Sequence, residues 1–154
     1  MKLTAWRITK RKHARTAFTG KGASDFGGRW NNPGTAVVYV SESQALAALE
    51  MLVHLDAAEL LQKYVFIEVT FDQSLVEDVD RAKLPVNWHA DPYPSNLPAI
   101  GDEWAAARTS VVLRLPSALV PAESNYLLNP RHPDFTHVEI GKPTDYRFDP
   151  RMAK

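Results

Sequence analysis

The chain has 154 residues, which suits one domain, and its 45% apolar and 23% charged composition excludes a disordered, collagen-like or coiled-coil protein. It has no cysteine, which excludes disulfides, thiolate catalysis and cysteine zinc sites. Net charge is zero, but residues 1–29 carry eight basic side chains against one acid, Asp25, so that segment is about +7 and the remainder about −7.

Residues 3–8 are predicted as a strand. Residues 10–35 hold five of the seven glycines and read as a loop that lets backbone approach a ligand closely. Residues 36–40 form a short apolar strand. Ser41-Glu42-Ser43-Gln44 offers an S-x-x-Q capping box, so a helix is predicted to follow to about residue 54 or 55. Residues 64–71 alternate as a strand does. A short helix is expected over 75–84. Pro85, Pro92, Pro94 and Pro98 make 85–98 a long irregular loop. A short helix suits 103–108. Strands are expected at 110–115, 118–120, 126–128 and 136–140. Separate strands and helices favour an α+β fold with mixed or antiparallel sheets, in one domain over 1–154 whose tail after about 140 is peripheral.

Several chemistries are absent. No apolar run approaches the roughly 18 residues of a membrane span, and the start lacks a signal-peptide core, so a cytoplasmic protein without a membrane partner is expected. There is no G-x-G-x-x-G, no Walker sequence, no G-x-S-x-G and no H-E-x-x-H. The five histidines show no metal spacing, and no metal is expected. The basic start suits phosphate-bearing ligands or a solvated face. A neutral domain argues against direct nucleic-acid binding, and a nuclease lacks a supporting carboxylate or histidine cluster.

Three residues carry the functional signal. With Leu46 at zero on a helical wheel, Leu49 lies near about −60°, Val53 near about −20° and Glu50 near about +40°. Glu50 therefore borders the apolar stripe; it either reaches solvent or an arginine, or serves as a partly desolvated carboxylate in a cleft. Arg29 follows Gly27-Gly28 and precedes Trp30, where a guanidinium can grip a phosphate with two parallel hydrogen bonds or form a structural ion pair. Tyr39 lies mid-strand, as a core residue or a ligand platform. Trp30 is either a stacking face or a core plug.

The ordered set Gly22-Ala23-Ser24-Asp25-Phe26-Gly27-Gly28-Arg29-Trp30-Asn31, Val38-Tyr39 and Ala47-Ala48-Leu49-Glu50 resembles the RES-domain family of bacterial toxins. Gly101-Asp102-Glu103-Trp104, Leu115-Pro116-Ser117-Ala118-Leu119-Val120-Pro121 and Glu123-Ser124-Asn125-Tyr126-Leu127-Leu128-Asn129-Pro130 extend the likeness over most of the chain. Arg29, Tyr39 and Glu50 stand ten and eleven residues apart within it.

The resemblance implies an ADP-ribosyltransferase-like fold. It implies NAD as substrate, not cofactor, cleaved at the nicotinamide–ribose bond by hydrolysis or phosphorolysis so that growth stops. It implies a partner antitoxin of the Xre helix-turn-helix type, for which the 85–98 loop and the tail are candidate contacts by exposure alone, and it allows a homodimer. Glu50 would stabilise the cationic ribose carbon, Arg29 the pyrophosphate, and Tyr39 the nicotinamide ring. Lys21, Gly28, Trp30 and Asn31 complete the expected substrate contacts. The family serine matches Ser117, with Ser110 and Ser124 left open. Transfer of ADP-ribose to a protein and a non-catalytic nucleotide-binding module are the competing readings. The account requires Arg29, Tyr39 and Glu50 to converge on one dinucleotide-sized pocket.

Overall fold

The longest pairing in the computed structural model, which describes residues 1–153, joins β1 (Lys2–Lys10) to β3 (Tyr64–Asp72). This antiparallel ladder runs unbroken from Lys2↔Asp72 to Lys10↔Tyr64. The β3 sequence YVFIEVTFD is rich in β-branched and aromatic residues and exposes only Glu68, as suits a strand flanked on both sides. The other strands are β2 (Val38–Ser41), β4 (Val76–Asp78), β5 (Val112–Pro116), β6 (Ser124–Leu128), β7 (Glu139–Ile140) and β8 (Thr144–Tyr146). They form one sheet in the order β4-β5-β6-β2-β1-β3-β7, with β8 also on β3. Only β4 and β5 pair in parallel, so the sheet is mixed and the fold is α+β.

Side chains alternate across this sheet. Val112, Tyr126 and Leu128 enter one core with Val38, Val40, Val69 and Phe71. Leu113, Leu115 and Leu127 enter the other with Trp30, Val37, Leu97 and Trp104. The helices are α1 (Lys21–Phe26), α2 (Gln44–Leu52), α3 (Ala57–Leu60) and α4 (Ala99–Ala107). At Gly101 a side chain would collide with the Trp30 carbonyl, so this glycine lets α4 lie directly on the 28–32 turn. No helix among the described residues is long and apolar enough to cross a membrane.

Several expectations need correcting. The 10–35 segment is not all loop: it holds α1, reinforced by the Lys21–Asp25 pair one turn apart. Ser43, not Ser41, caps α2, its Oγ accepting from the Leu46 N–H at 3.1 Å, while Ser41 belongs to β2. The buried side of α2 is Leu46 and Ala47, whereas Leu49 and Val53 are 40% and 55% exposed. Glu50 thus lies between Leu46 and Ala47 on the packed face, more central than the wheel centred on Leu46, Leu49 and Val53 implied.

Residues 75–84 are not a helix. Asp72 and Asp80 accept from the N–H groups of Ser74 and Ala82 and close two short 3-10 turns, and Val76–Asp78 between them pairs with β5. Residues 118–120 are not a strand, because Ser117 Oγ accepts from the N–H groups of Leu119 and Val120 and turns the chain. The tail lies along the sheet edge, where β8 pairs with β3 and Phe148 is buried against Tyr64.

Candidate active site

On β2, Tyr39 and Ser41 project from the same face of the sheet, and their partners on β6, Leu127 and Asn125, do likewise. Asn125 is a polar residue at a position whose alternates are apolar. Ser41 Oγ donates to Asn125 Oδ1 at 2.6 Å. That contact turns the Asn125 amide nitrogen outward, and Nδ2 donates to Glu50 Oε1 at 2.8 Å. Ser117 is fully buried and donates from Oγ to the same Glu50 oxygen at 2.6 Å. Because the Ser117 oxygen already accepts from two N–H groups, its own proton is directed to the carboxylate. Glu50 is half-buried, one oxygen carries two donors, and Oε2 has no partner among the described residues.

One pleat along the same face, roughly 7 Å away by strand geometry, stands Tyr39. Its hydroxyl donates to Asn31 Oδ1 at 2.6 Å and accepts from the Trp30 N–H at 3.2 Å. Burial pushes the phenol well above its ordinary pKa, so Tyr39 stays protonated. Asn31 is buried, and its Nδ2 is shared among the carbonyls of Ala23, Asn32 and Thr35. A Cβ at Gly28 would stand 2.8 Å from the Tyr39 hydroxyl oxygen, which accounts for glycine there.

The turn that touches Tyr39 through Gly28 also presents Arg29. Its Nη1 donates to the carbonyls of Trp88 and Ala90 at 2.9 and 2.8 Å. The guanidinium carbon lies 5.4 Å from the centre of the Tyr93 ring. Nε and Nη2 have no partner among the described residues. Trp88 packs against Trp30 at 6.3 Å between ring centres, so the 85–98 loop is laid across Arg29. Asn125 thus links Glu50 to the sheet face that bears Tyr39, and Tyr39 touches the turn that bears Arg29.

Neither of the two clefts described for this chain is the expected common pocket. One cleft of about 240 Å³ is lined by Gly34, Thr35, Asp102, Arg108 and Arg131 among others. A second, of about 740 Å³, is lined by Lys10, Arg11, Lys12, Lys63 and Arg147 with Leu61 and Gln62. Neither includes Arg29, Tyr39 or Glu50, and at Arg29 the carbonyls of Trp88 and Ala90 and the Tyr93 ring sit against the guanidinium. Trp30, 3% exposed, is a core plug rather than a stacking face. Asn31 organises the turn from within and offers no free face. Lys21 is exposed and paired with Asp25 at 3.0 Å, away from the Glu50 network. Of the three serines, Ser110 bonds Trp104 and Glu77, Ser124 lies at the start of β6, and Ser117 alone of them reaches Glu50.

Asn125, Ser41, Trp88, Ala90 and Tyr93 were not anticipated. The alternation along β6 is the signal that could have marked Asn125. Trp88 and Ala90 act through backbone carbonyls and carry no side-chain signature, whereas Tyr93 approaches Arg29 with its ring.

The sequence profile described as RES domain matches residues 4–149. The chain is 38% identical over 148 residues to "Toxin Res" of Yersinia enterocolitica serotype O:8 / biotype 1B, covering 96% of this chain and 97% of that protein. It is 35% identical over 159 aligned positions to "Prs ADP-ribosylating toxin" of Sphingobium sp., covering 100% and 99%. In fold it resembles a chain in the crystal structure of the M. tuberculosis MbcT–MbcA toxin–antitoxin complex, with a TM-score of 0.78 at 19% identity, covering 99% of this chain and 87% of that one.

Proposed function

The chain belongs to the RES-domain family, and on that premise we propose that it is the toxin of a toxin–antitoxin pair that consumes cytoplasmic NAD by breaking the nicotinamide–ribose bond. The observation that carries this reading is the Glu50 carboxylate, fixed at one oxygen by Ser117 and Asn125 and free at the other. When the bond breaks, its electron pair leaves with the nicotinamide nitrogen and the ribose carbon becomes cationic. A pre-oriented carboxylate beside that carbon stabilises the charge without reorganising. Its free oxygen also takes the proton of an incoming water, or orients a phosphate, as the new carbon–oxygen bond forms.

Arg29 supplies the cation for the substrate pyrophosphate. Two guanidinium nitrogens remain for it while Nη1 holds the 85–98 loop. Tyr39, neutral at all physiological pH values, supplies an aromatic face to the cationic nicotinamide. Gly28 is required by the close approach of Tyr39 and lets the turn that carries Arg29 lie against that ring. Ser117 and Asn125 act through Glu50 as positioning residues.

The test is direct: incubate the purified chain with NAD, with and without phosphate, and identify the products. Free nicotinamide with ADP-ribose indicates hydrolysis, and nicotinamide with a phosphorylated ADP-ribose indicates phosphorolysis. Unchanged NAD in both contradicts the proposal. The name of the Sphingobium relative favours a second reading, transfer of ADP-ribose to a protein. Labelled NAD in a cell lysate separates the two, since transfer leaves labelled protein and degradation leaves labelled small molecules. The solved complex of the fold relative supports an antitoxin partner, here proposed to be of the Xre type. Co-expression of a cognate Xre-type protein should restore growth arrested by the toxin.

A further inference from the structure

Three cations of the basic N-terminal segment meet two from later in the chain at a place the proposed reaction does not use. Lys10 ends β1, Arg11 and Lys12 follow in a 3-10 turn, Lys63 precedes β3 and Arg147 follows β8. These five cations, with Leu61 and Gln62, line the cleft of about 740 Å³. Its walls are held in place. Lys10 pairs with Tyr64 in the β1–β3 ladder, and the Arg11 N–H donates to the Lys63 carbonyl at 2.9 Å. Beside Arg147, Tyr146 pairs with Tyr64 and Phe148 packs on the Tyr64 ring.

The charge is only partly offset. Lys10 meets Glu59 at 3.1 Å and Arg11 meets Asp145 at 3.7 Å. Lys12, Lys63 and Arg147 have no carboxylate within 4 Å among the described residues, and no acid lines the cleft. Like charges held together by packing raise the local potential, and a bound anion relieves their repulsion. The volume falls within the roughly 300–1,000 Å³ of small-molecule sites. No aromatic ring lines the cleft, so a nucleobase finds no stacking face. A net-neutral chain lacks the continuous basic track of a nucleic-acid surface.

We propose that this cleft binds a compact phosphate-rich anion, an inorganic oligophosphate or the polyphosphate end of a nucleotide, at a site separate from Glu50. The phosphate oxygens are recognised by the ammonium and guanidinium groups, and the rest of the molecule stays in solvent.

The test is isothermal titration of the purified chain with inorganic tripolyphosphate at about 50 mM salt, where screening is modest. Binding is expected, with ATP within about threefold of tripolyphosphate because the base is not read. The double variant Lys63→Ala/Arg147→Ala changes two exposed side chains and should weaken binding about tenfold or more, while Arg81→Ala, at an exposed cation outside the cleft, leaves it unchanged. Absence of binding overturns the proposal. Loss in Arg29→Ala with retention in the double variant also does, since the anion then sits beside Tyr39. Equal affinity for a poly-glutamate peptide of matched charge, or tighter binding of a single-stranded oligonucleotide lost in the double variant, likewise contradicts a phosphate-specific cleft.

Discussion

Glu50 and Asn125, 75 positions apart in the chain, meet in a 2.8 Å hydrogen bond from the Asn125 amide to Glu50 Oε1. The amide cannot turn around without placing its oxygen against the carboxylate, and Ser41 holds it the right way by donating to Oδ1. A hydrogen bond to a charged group contributes about 1.5–3 kcal/mol, so Asn125→Ala should lower kcat for NAD about 10–100-fold. KM should stay within about twofold, because Asn125 touches Glu50 and not the substrate. Steady-state kinetics decide it: a raised KM at unchanged kcat would instead place Asn125 against the ligand.

The close approach of Gly28 to Tyr39 gives a second expectation. In Gly28→Ala the new methyl meets the hydroxyl oxygen at 2.8 Å and Asn31 Oδ1 at 3.2 Å. Overpacking of this kind costs about 1–3 kcal/mol. Denaturant unfolding of Gly28→Ala, Tyr39→Phe and the double variant should show a non-additive cycle, since removing the hydroxyl relieves part of the clash. Additive losses would mean that the two groups do not touch.

Three tyrosines make stability fall in alkali. Burial raises the pKa of Tyr39, Tyr64 and Tyr126. Above about pH 10 the unfolded chain releases these protons while the folded chain keeps them, so the unfolded state binds fewer and stability declines as pH rises. Below that pH their contribution is fully present. Arg7 works in the other direction: burial lowers its pKa to about 10, and its donors reach only the carbonyls of Ala17 and Ile8. The informative quantity is therefore the difference between wild type and Tyr39→Phe. Melting temperatures between about pH 9 and 11.5 should fall less steeply in the variant.

Arg29 is expected to serve two partners, the 85–98 loop and the substrate pyrophosphate. Lysine has one charged nitrogen and cannot replace a fork that already spends Nη1 on two carbonyls. Arg29→Lys should raise KM for NAD about tenfold or more and speed proteolytic cleavage within 85–98. An unchanged KM with a loosened loop would assign Arg29 to the loop alone.

β3 was legible as a strand from its β-branched and aromatic residues, although it is buried on both faces and exposes only Glu68 rather than alternating. Short polar segments were less so. The 73–83 region answers to Asp72 and Asp80 accepting from nearby backbone, and 118–120 to Ser117 doing the same. Such local bonds compete with the periodic signal and win where few apolar contacts are at stake. Glu50 was recognisable as an acid beside apolar neighbours, and Ser117 as its partner only by family resemblance. The role of Asn125 depends on the register Ser41↔Asn125, a pairing between segments 84 positions apart. Arg29 read in the sequence as a phosphate grip or an ion pair; that Trp88 and Ala90 engage it through backbone oxygens has no residue code at all.

The measurement closest to the central claim is nicotinamide release from NAD by Glu50→Gln beside the wild-type chain. Glutamine keeps the shape and an oxygen for Ser117 and Asn125, so the melting temperature should be preserved while the charge is gone. Release should fall by about a thousandfold, the scale of losing a pre-organised electrostatic group. Release within about tenfold of wild type would show that the Glu50 carboxylate does not carry the reaction.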